Sequence, residues 1–261
     1  WKLFFGVGLS ASVEDLGAQG EAPSHPELLD WLAATFRADG DTKALVRRVV
    51  LSRTYRQSSD QRAASPGARV DPENRLLWRQ NARRLDAEFV RDNALAIAGV
   101  LERAVGGPPA KPYQPAGYYA QLQFPDREYV ADRTEDQWRR SLYTHWQRTF
   151  LHPMLANFDA PSREEAACTR TSANTPQQAL TLLNDPQFVE ASRLFAQRLL
   201  ATPGTDDRRI DAAFRRALAR PATAAERGSL RRFLERSRAS LAARPDDARK
   251  IVGVGIAPVP T

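Results

Sequence analysis

Apolar residues recur at intervals of three and four along most of this chain, and polar or small residues collect between the runs. That rhythm predicts a helical protein. Leu28, Leu32 and Phe36 fall four apart behind Ser24, Pro26 and Glu27, which read as a capping box with proline in the first turn. Gly40 supplies a left-handed stop, and a second helix with Leu45, Val46, Val49 and Val50 inward follows after a two-residue link, so a helical hairpin is expected. Asp71-Pro72 is expected to open a long helix that ends at Gly106-Gly107 and breaks near Asn81, with Leu85, Phe89, Ala96 and Val100 on one face.

The middle of the chain changes character. Prolines and tyrosines dominate residues 108–133, and Gln121–Phe124 and Glu128–Val130 are expected to pair as a small β-hairpin. Thr134 and Gln137 then read as a capping box, with Trp138, Leu142 and Trp146 inward. Thr175 with Gln178 and Thr223 with Glu226 give two more boxes. Asp185-Pro186 starts a helix between them, and another spans roughly Asp206 to Leu218. The expected fold is mainly α: a multi-helix orthogonal bundle with helical hairpins and one small β-hairpin in a Pro/Tyr-rich insertion. It is read as a single helical domain over 1–261, with a subdivision into 1–107 and 134–261 around the 108–133 insertion as the alternative. The apolar ends, "WKLFFGVGLS" and "IVGVGIAPVPT", suggest truncation on both sides.

Composition narrows the function classes. Hydrophobic residues at 42% can build a core, and no apolar run approaches the ~20 residues of a membrane helix, so no membrane span is expected. The net charge of +7 invites a polyanion. Yet only Lys2, Lys43, Lys111 and Lys250 are lysine, and the many arginines are interleaved with acids, which describes a solvated surface and no specific nucleic-acid site. The densest basic face belongs to the final long helix, with Arg227, Arg231, Arg232, Arg236 and Arg238 opposite its leucines. One cysteine, no C-x-x-C-H and no zinc-like spacing among His25, His145 and His152 argue against a metal or cofactor held by this segment. His25, between Ser24 and Pro26, reads as a positional residue of a first helical turn.

"DLGAQGEAPSHPELLDWLA", "SRTYRQSS", "DPENRLLWRQNARRLDAEFVRD", "FDAPSREE", "NTPQQALTLLNDPQFVEASR" and "ARPATAAE" together resemble one family. It is the C-terminal domain of unknown function in exported planctomycete proteins of the PSD type, which often also carry a planctomycete-type cytochrome c domain. The resemblance implies a multidomain parent at the periplasm or cell surface, linked to polysaccharide use. It also implies other domains of the same polypeptide as partners and haem only in an upstream domain. It implies no reaction. Ala166 stands where the family usually has cysteine, with Cys168 two residues on, and the family's opening is weakened to "FGVGLSAS".

Asp159 and Glu164 are the candidate acid–base pair, with Arg163 and Glu165 beside them; helix capping and surface ion pairing explain the same residues. Cys168 would need a base such as His145 or His152 to act as a nucleophile. Tyr113, Tyr118 and Tyr119 could stack on sugar faces, or simply cover helices. Arg56, Arg163 and Arg170, with Asn174, are candidates to hold a sulfate or carboxylate. The leading expectation is an accessory binding or assembly module, with glycan as a possible ligand. The alternatives are a hydrolase-like glycan enzyme using the acids and a polyanion-binding helical domain.

Overall fold

Helix-forming segments dominate the computed structural model, which describes residues 1–60, 66–121, 128–148 and 150–259. Among these residues there are no strands, only isolated bridges such as Glu102 with Arg139 and Ala110 with Thr144. The class is mainly α, as the periodicity predicts. Residues 122–127, which hold the turn and most of the first strand of the expected β-hairpin, lie outside the described residues. The chain divides into two compact units, Trp1–Arg84 and Leu85–Thr261.

The first unit contains α1 (Lys2–Phe5), α2 (Pro26–Asp39), α3 (Thr42–Leu51) and α4 (Pro66–Val70). Gly40 adopts φ 61° and stops α2, and Asp41 caps α3 by accepting from the Lys43 and Ala44 amides. This is the expected hairpin, closed further by Arg48 on Asp39 at 3.1 Å. Ser24 and Glu27 do not form the expected box. The N-cap is His25, and the Ser24 hydroxyl lies 2.9 Å from its Nδ1. Phe5 is only 1% exposed; Trp1 and Tyr55 pack on it, with ring centroids 4.3 and 6.0 Å away.

The long helix expected from Asp71 onward does not exist before Ala87. Asn74 and Leu77 both sit at φ 56°, a left-handed conformation that no helix accommodates. Asp71 folds the chain into a turn, its carboxylate accepting from the Arg75 and Leu76 amides at 2.9 and 2.7 Å. The buried Asn74 amide donates to Arg79 O and Asn81 Oδ1, each at 2.9 Å. Short polar side chains here satisfy backbone groups that a helix would otherwise claim.

In the second unit α5 (Ala87–Ala98) packs most closely on α8 (Pro186–Leu200). Arg91 bonds Gln187 at the start of α8, and Arg198 near its end bonds Gly99 just past α5, so the two helices run in the same direction. The inner stripe of α5 is Ala87, Arg91, Leu95 and Ala98. Of the expected stripe, Val100 packs against the Leu95, Ala98 and Ala191 cluster, whereas Leu85 and Phe89 are exposed. The core gathers Ala87, Met154, Leu155, Phe158 and Phe188, continued by Leu95, Ala98 and Ala191. α6 (Pro153–Asn157) and α7 (Pro176–Asn184) flank it, and α9 (Asp206–Leu218), α10 (Ala224–Ala242) and α11 (Pro245–Val252) close the chain. The boxes at Thr175/Gln178 and Thr223/Glu226 form as predicted, and Asp185 caps α8.

Thr134 opens no α-helix. It starts a short 3-10 turn, Glu135–Trp138, and a second turn spans Ser141–Tyr143. Gln137 is fully buried, donating to Lys111 O and Asp132 O instead of closing a box, and Leu142 is exposed rather than inward. The reason is Arg91. Its guanidinium, 1% exposed, donates to the carbonyls of Gln137 and Arg139 at 2.6 Å each, which helix bonding would have consumed. Burial lowers its pKa to about 10, so it stays charged at neutral pH.

The C-terminal stretch after α11 is clasped by α8. Arg193 donates to Ala257 O and Pro258 O at 2.9 Å, and the buried Glu190 carboxylate accepts from the Ala257 amide at 2.8 Å. Gly255 has φ 91°, and a Cβ there would lie 2.2 Å from the Glu190 carboxyl carbon.

Candidate ligand pocket

The first unit encloses a hollow of about 410 Å³ built from two stretches distant in sequence. The loop after α1 folds back on itself. Ser12 Oγ accepts the Glu21 amide at 2.7 Å, Ser10 Oγ donates to Glu21 O at 3.0 Å, and the Ser24 amide donates to Leu9 O at 2.7 Å. These bonds bring Glu21, Ser24 and His25 to one side of the hollow. Ser10 and Ser12 thus organise this loop.

The opposite side comes from the Asp71–Asn81 turn, which contributes Glu73, Asn74, Arg75 and Asn81. Asn81 Nδ2 donates to Phe5 O at 2.8 Å, and its Oδ1 accepts from Asn74 and from Arg79 at 3.3 Å. Asn74 and Asn81 are therefore committed to holding the turn, whereas Glu73 and Arg75 are exposed at the rim. Trp1, Phe5 and Leu9 supply an apolar wall. One hollow thus offers aromatic surface, a carboxylate, a guanidinium and an imidazole together. Such a mixture suits a small ligand with an apolar face and several hydrogen-bonding groups. Sequence reading gave His25 only a positional role and singled out neither Glu73 nor Arg75, since no local pattern reveals that residues about fifty positions apart share a cavity.

The residues singled out from sequence lie elsewhere. Asp159, at φ 62°, accepts from the Ala173 amide at 2.8 Å and from Gln178 Nε2 at 3.4 Å, closing the loop between α6 and α7. Glu164 is exposed and lies 3.6 Å from Arg148 Nε. Arg170 grips Glu88 with two hydrogen bonds, at 2.6 and 3.3 Å, and Arg163 stacks over the Trp146 ring at 3.6 Å. Burial works to raise the Glu88 pKa, but the bonds and charge of Arg170 outweigh it and hold it below the usual carboxylate value. Asn174 and Cys168 are exposed on the same loop. Arg56 is exposed in the first unit.

The tyrosines face inward. Tyr113 OH donates to Glu190 at 3.1 Å and accepts from the Ile256 amide at 2.9 Å, while Tyr118 OH donates to Leu151 O at 3.0 Å. Tyr119 is buried among Tyr118, Tyr129 and Phe150. Burial, reinforced by the Glu190 charge, raises the Tyr113 pKa. His152 is buried with Nε2 at 2.8 Å from Tyr113 O, and burial, aided by Arg91, lowers its pKa to about 4. Among the described residues no helix is long and apolar enough to cross a membrane.

Comparison with protein families matches residues 1–234 to PSD1, described as "Protein of unknown function (DUF1553)". Comparison with curated proteins gave no match, and neither did comparison with solved structures.

Proposed function

Because the chain belongs to the PSD1 family, whose description assigns no activity, we propose that it is an accessory binding module of an exported, multidomain bacterial protein engaged in polysaccharide use. Its first unit binds a sugar-sized ligand in the pocket between Trp1, which packs on the buried Phe5, and Glu73. The observation that carries this reading is the meeting of an aromatic wall with Glu73, Arg75 and His25 around about 410 Å³. Aromatic faces cover the C–H surface of a pyranose, and planar charged side chains bond its hydroxyls or an acidic substituent. The cytochrome and polysaccharide associations come from the family resemblance.

Calorimetric titration with neutral and sulfated oligosaccharides tests it. Saturable binding without product formation, weakened about tenfold or more by Glu73→Gln or Arg75→Ala, is the expected result. Cleavage products lost in Asp159→Asn would replace the binding module with an enzyme. Binding unchanged in both pocket variants would exclude the pocket.

A further inference from the structure

The second unit carries a different concave surface. Leu199 and Leu200 of α8, Ile210 of α9, and Leu230 and Phe233 of α10 line a groove of about 400 Å³. Phe233 also borders a second hollow of about 530 Å³ that continues past Ser237 to Leu241 and Arg244. Leu200 and Phe233 are 60% and 61% exposed, so the floor is open apolar surface. From Leu230 to Leu241, at ~1.5 Å per residue, this floor runs about 16 Å, or three turns of a facing helix.

The charge around the floor is one-sided. α9 and α10 together hold nine arginines and five carboxylates. Those carboxylates are already engaged by arginine at several points: Asp206 is shared by Arg209 and Arg238, Asp207 meets Arg231, and Asp211 meets Arg227. Glu226 is paired with Arg220. The surplus is therefore cationic, with Arg236 at the edge of the second hollow beside Arg244, which is itself paired with Asp247. A second copy of this surface would bring like charges together, and a flat bilayer does not fill a furrow between helices.

We propose that this groove docks an amphipathic helix of a partner polypeptide, with leucine-like residues on one face and aspartate or glutamate on its flanks. The apolar face would seat on Leu200, Leu230 and Phe233, and the acidic flanks would meet the surplus arginines. This is helix-in-groove recognition, in which anchors at i, i+3/i+4 and i+7 set affinity and the flanking charges select the partner.

The test uses the full chain and two fluorescein-labelled synthetic helices of ~16 residues, matching the ~16 Å floor with some overhang. They share one leucine face; one is flanked by glutamate and the other by lysine. Anisotropy should show saturable binding of the acidic peptide, at least about tenfold weaker binding of the lysine peptide, and a similar loss with Phe233→Ser. Arg236→Glu should narrow the preference between the peptides. Circular dichroism verifies that both variants fold, and oligosaccharide titrations of Phe233→Ser should match the parent, keeping this surface distinct from the pocket. Failure of the acidic peptide to bind, equal binding of both peptides, or binding insensitive to Phe233→Ser would overturn the proposal. So would a concentration-dependent dimer abolished by Phe233→Ser, or anionic phosphatidylserine vesicles displacing the acidic peptide while themselves binding through Phe233.

Discussion

Arg91 donates from its Nε to Gln187 Oε1 at 2.5 Å, tying α5 to the first turn of α8 from inside the core. The same guanidinium holds the Gln137 and Arg139 carbonyls and lies 3.3 Å from Ser141 Oγ, so one side chain fixes three chain segments. Arg91→Met should lower stability by about 3 kcal/mol or more, because each buried acceptor left unpaired costs roughly 1–3 kcal/mol. Arg91→Lys should recover little, since an ammonium cannot span the fork of acceptors. Urea unfolding followed by circular dichroism measures both; a loss below about 1 kcal/mol in Arg91→Met would contradict the assigned role.

His152 makes stability depend on pH. Its folded pKa of about 4 lies below the ordinary value of 6.5, so the unfolded chain binds the extra proton first. Stability should therefore rise with pH between about 4 and 6.5 and level off outside that window, with a slope of up to about 1.4 kcal/mol per pH unit from this group. Glu88, whose folded pKa is lowered, contributes stability above its unfolded pKa that is lost as pH falls through its folded value. Urea midpoints across this range should show a flatter profile for His152→Gln than for the parent.

Asp159 should behave as a loop tie. Asp159→Ala removes the acceptor for the Ala173 amide and places alanine at φ 62°, where an aspartate or asparagine is better tolerated. The expected cost is about 1–2 kcal/mol, with faster proteolysis between α6 and α7. Asp159→Asn should retain most of the stability, and limited proteolysis of the two variants side by side checks the difference.

Gly255→Ala should loosen the C-terminal clasp. The new Cβ would meet the Glu190 carboxyl at 2.2 Å from a backbone at φ 91°. A loss of roughly 1–3 kcal/mol is expected, with faster hydrogen exchange at the Ile256 and Ala257 amides. Unchanged exchange at those amides would mean that the clasp does not depend on this close approach.

Local chemistry was the part that could be read directly. Thr175/Gln178, Thr223/Glu226, Asp185 and Gly40 act within three or four residues of themselves, and each is where its pattern placed it. Reading failed where distant groups compete for the backbone. A stripe with Arg91 on its inner face does not look like a core stripe, and nothing near Gln137 announces that Lys111 O and Asp132 O will hold it. The residues from Asp71 to Asn81 carry helical periodicity, yet Asp71 and Asn74 bond the nearby backbone more favourably as a turn. The ligand pocket depends on that turn, and so it was hidden by the same misreading. The tyrosines were open to two interpretations because a ring that stacks on a ligand and one that packs on Phe150 have the same sequence.

The shared direction of α5 and α8 has an electrostatic consequence. Two helices side by side with the same sense align their macrodipoles, an arrangement that repels unless charge offsets each end. Both helices begin beside acids, Asp86 and Glu88 for α5 and Asp185 for α8. At the other pole, Arg198 donates to Gly99 O and Arg216 donates to Ile97 O, placing cations on the last carbonyls of α5. The pair is thus held in a field of its own making, with anions at the positive pole and arginines at the negative one. Part of the arginine excess of this chain therefore serves to let two like-oriented helices lie together.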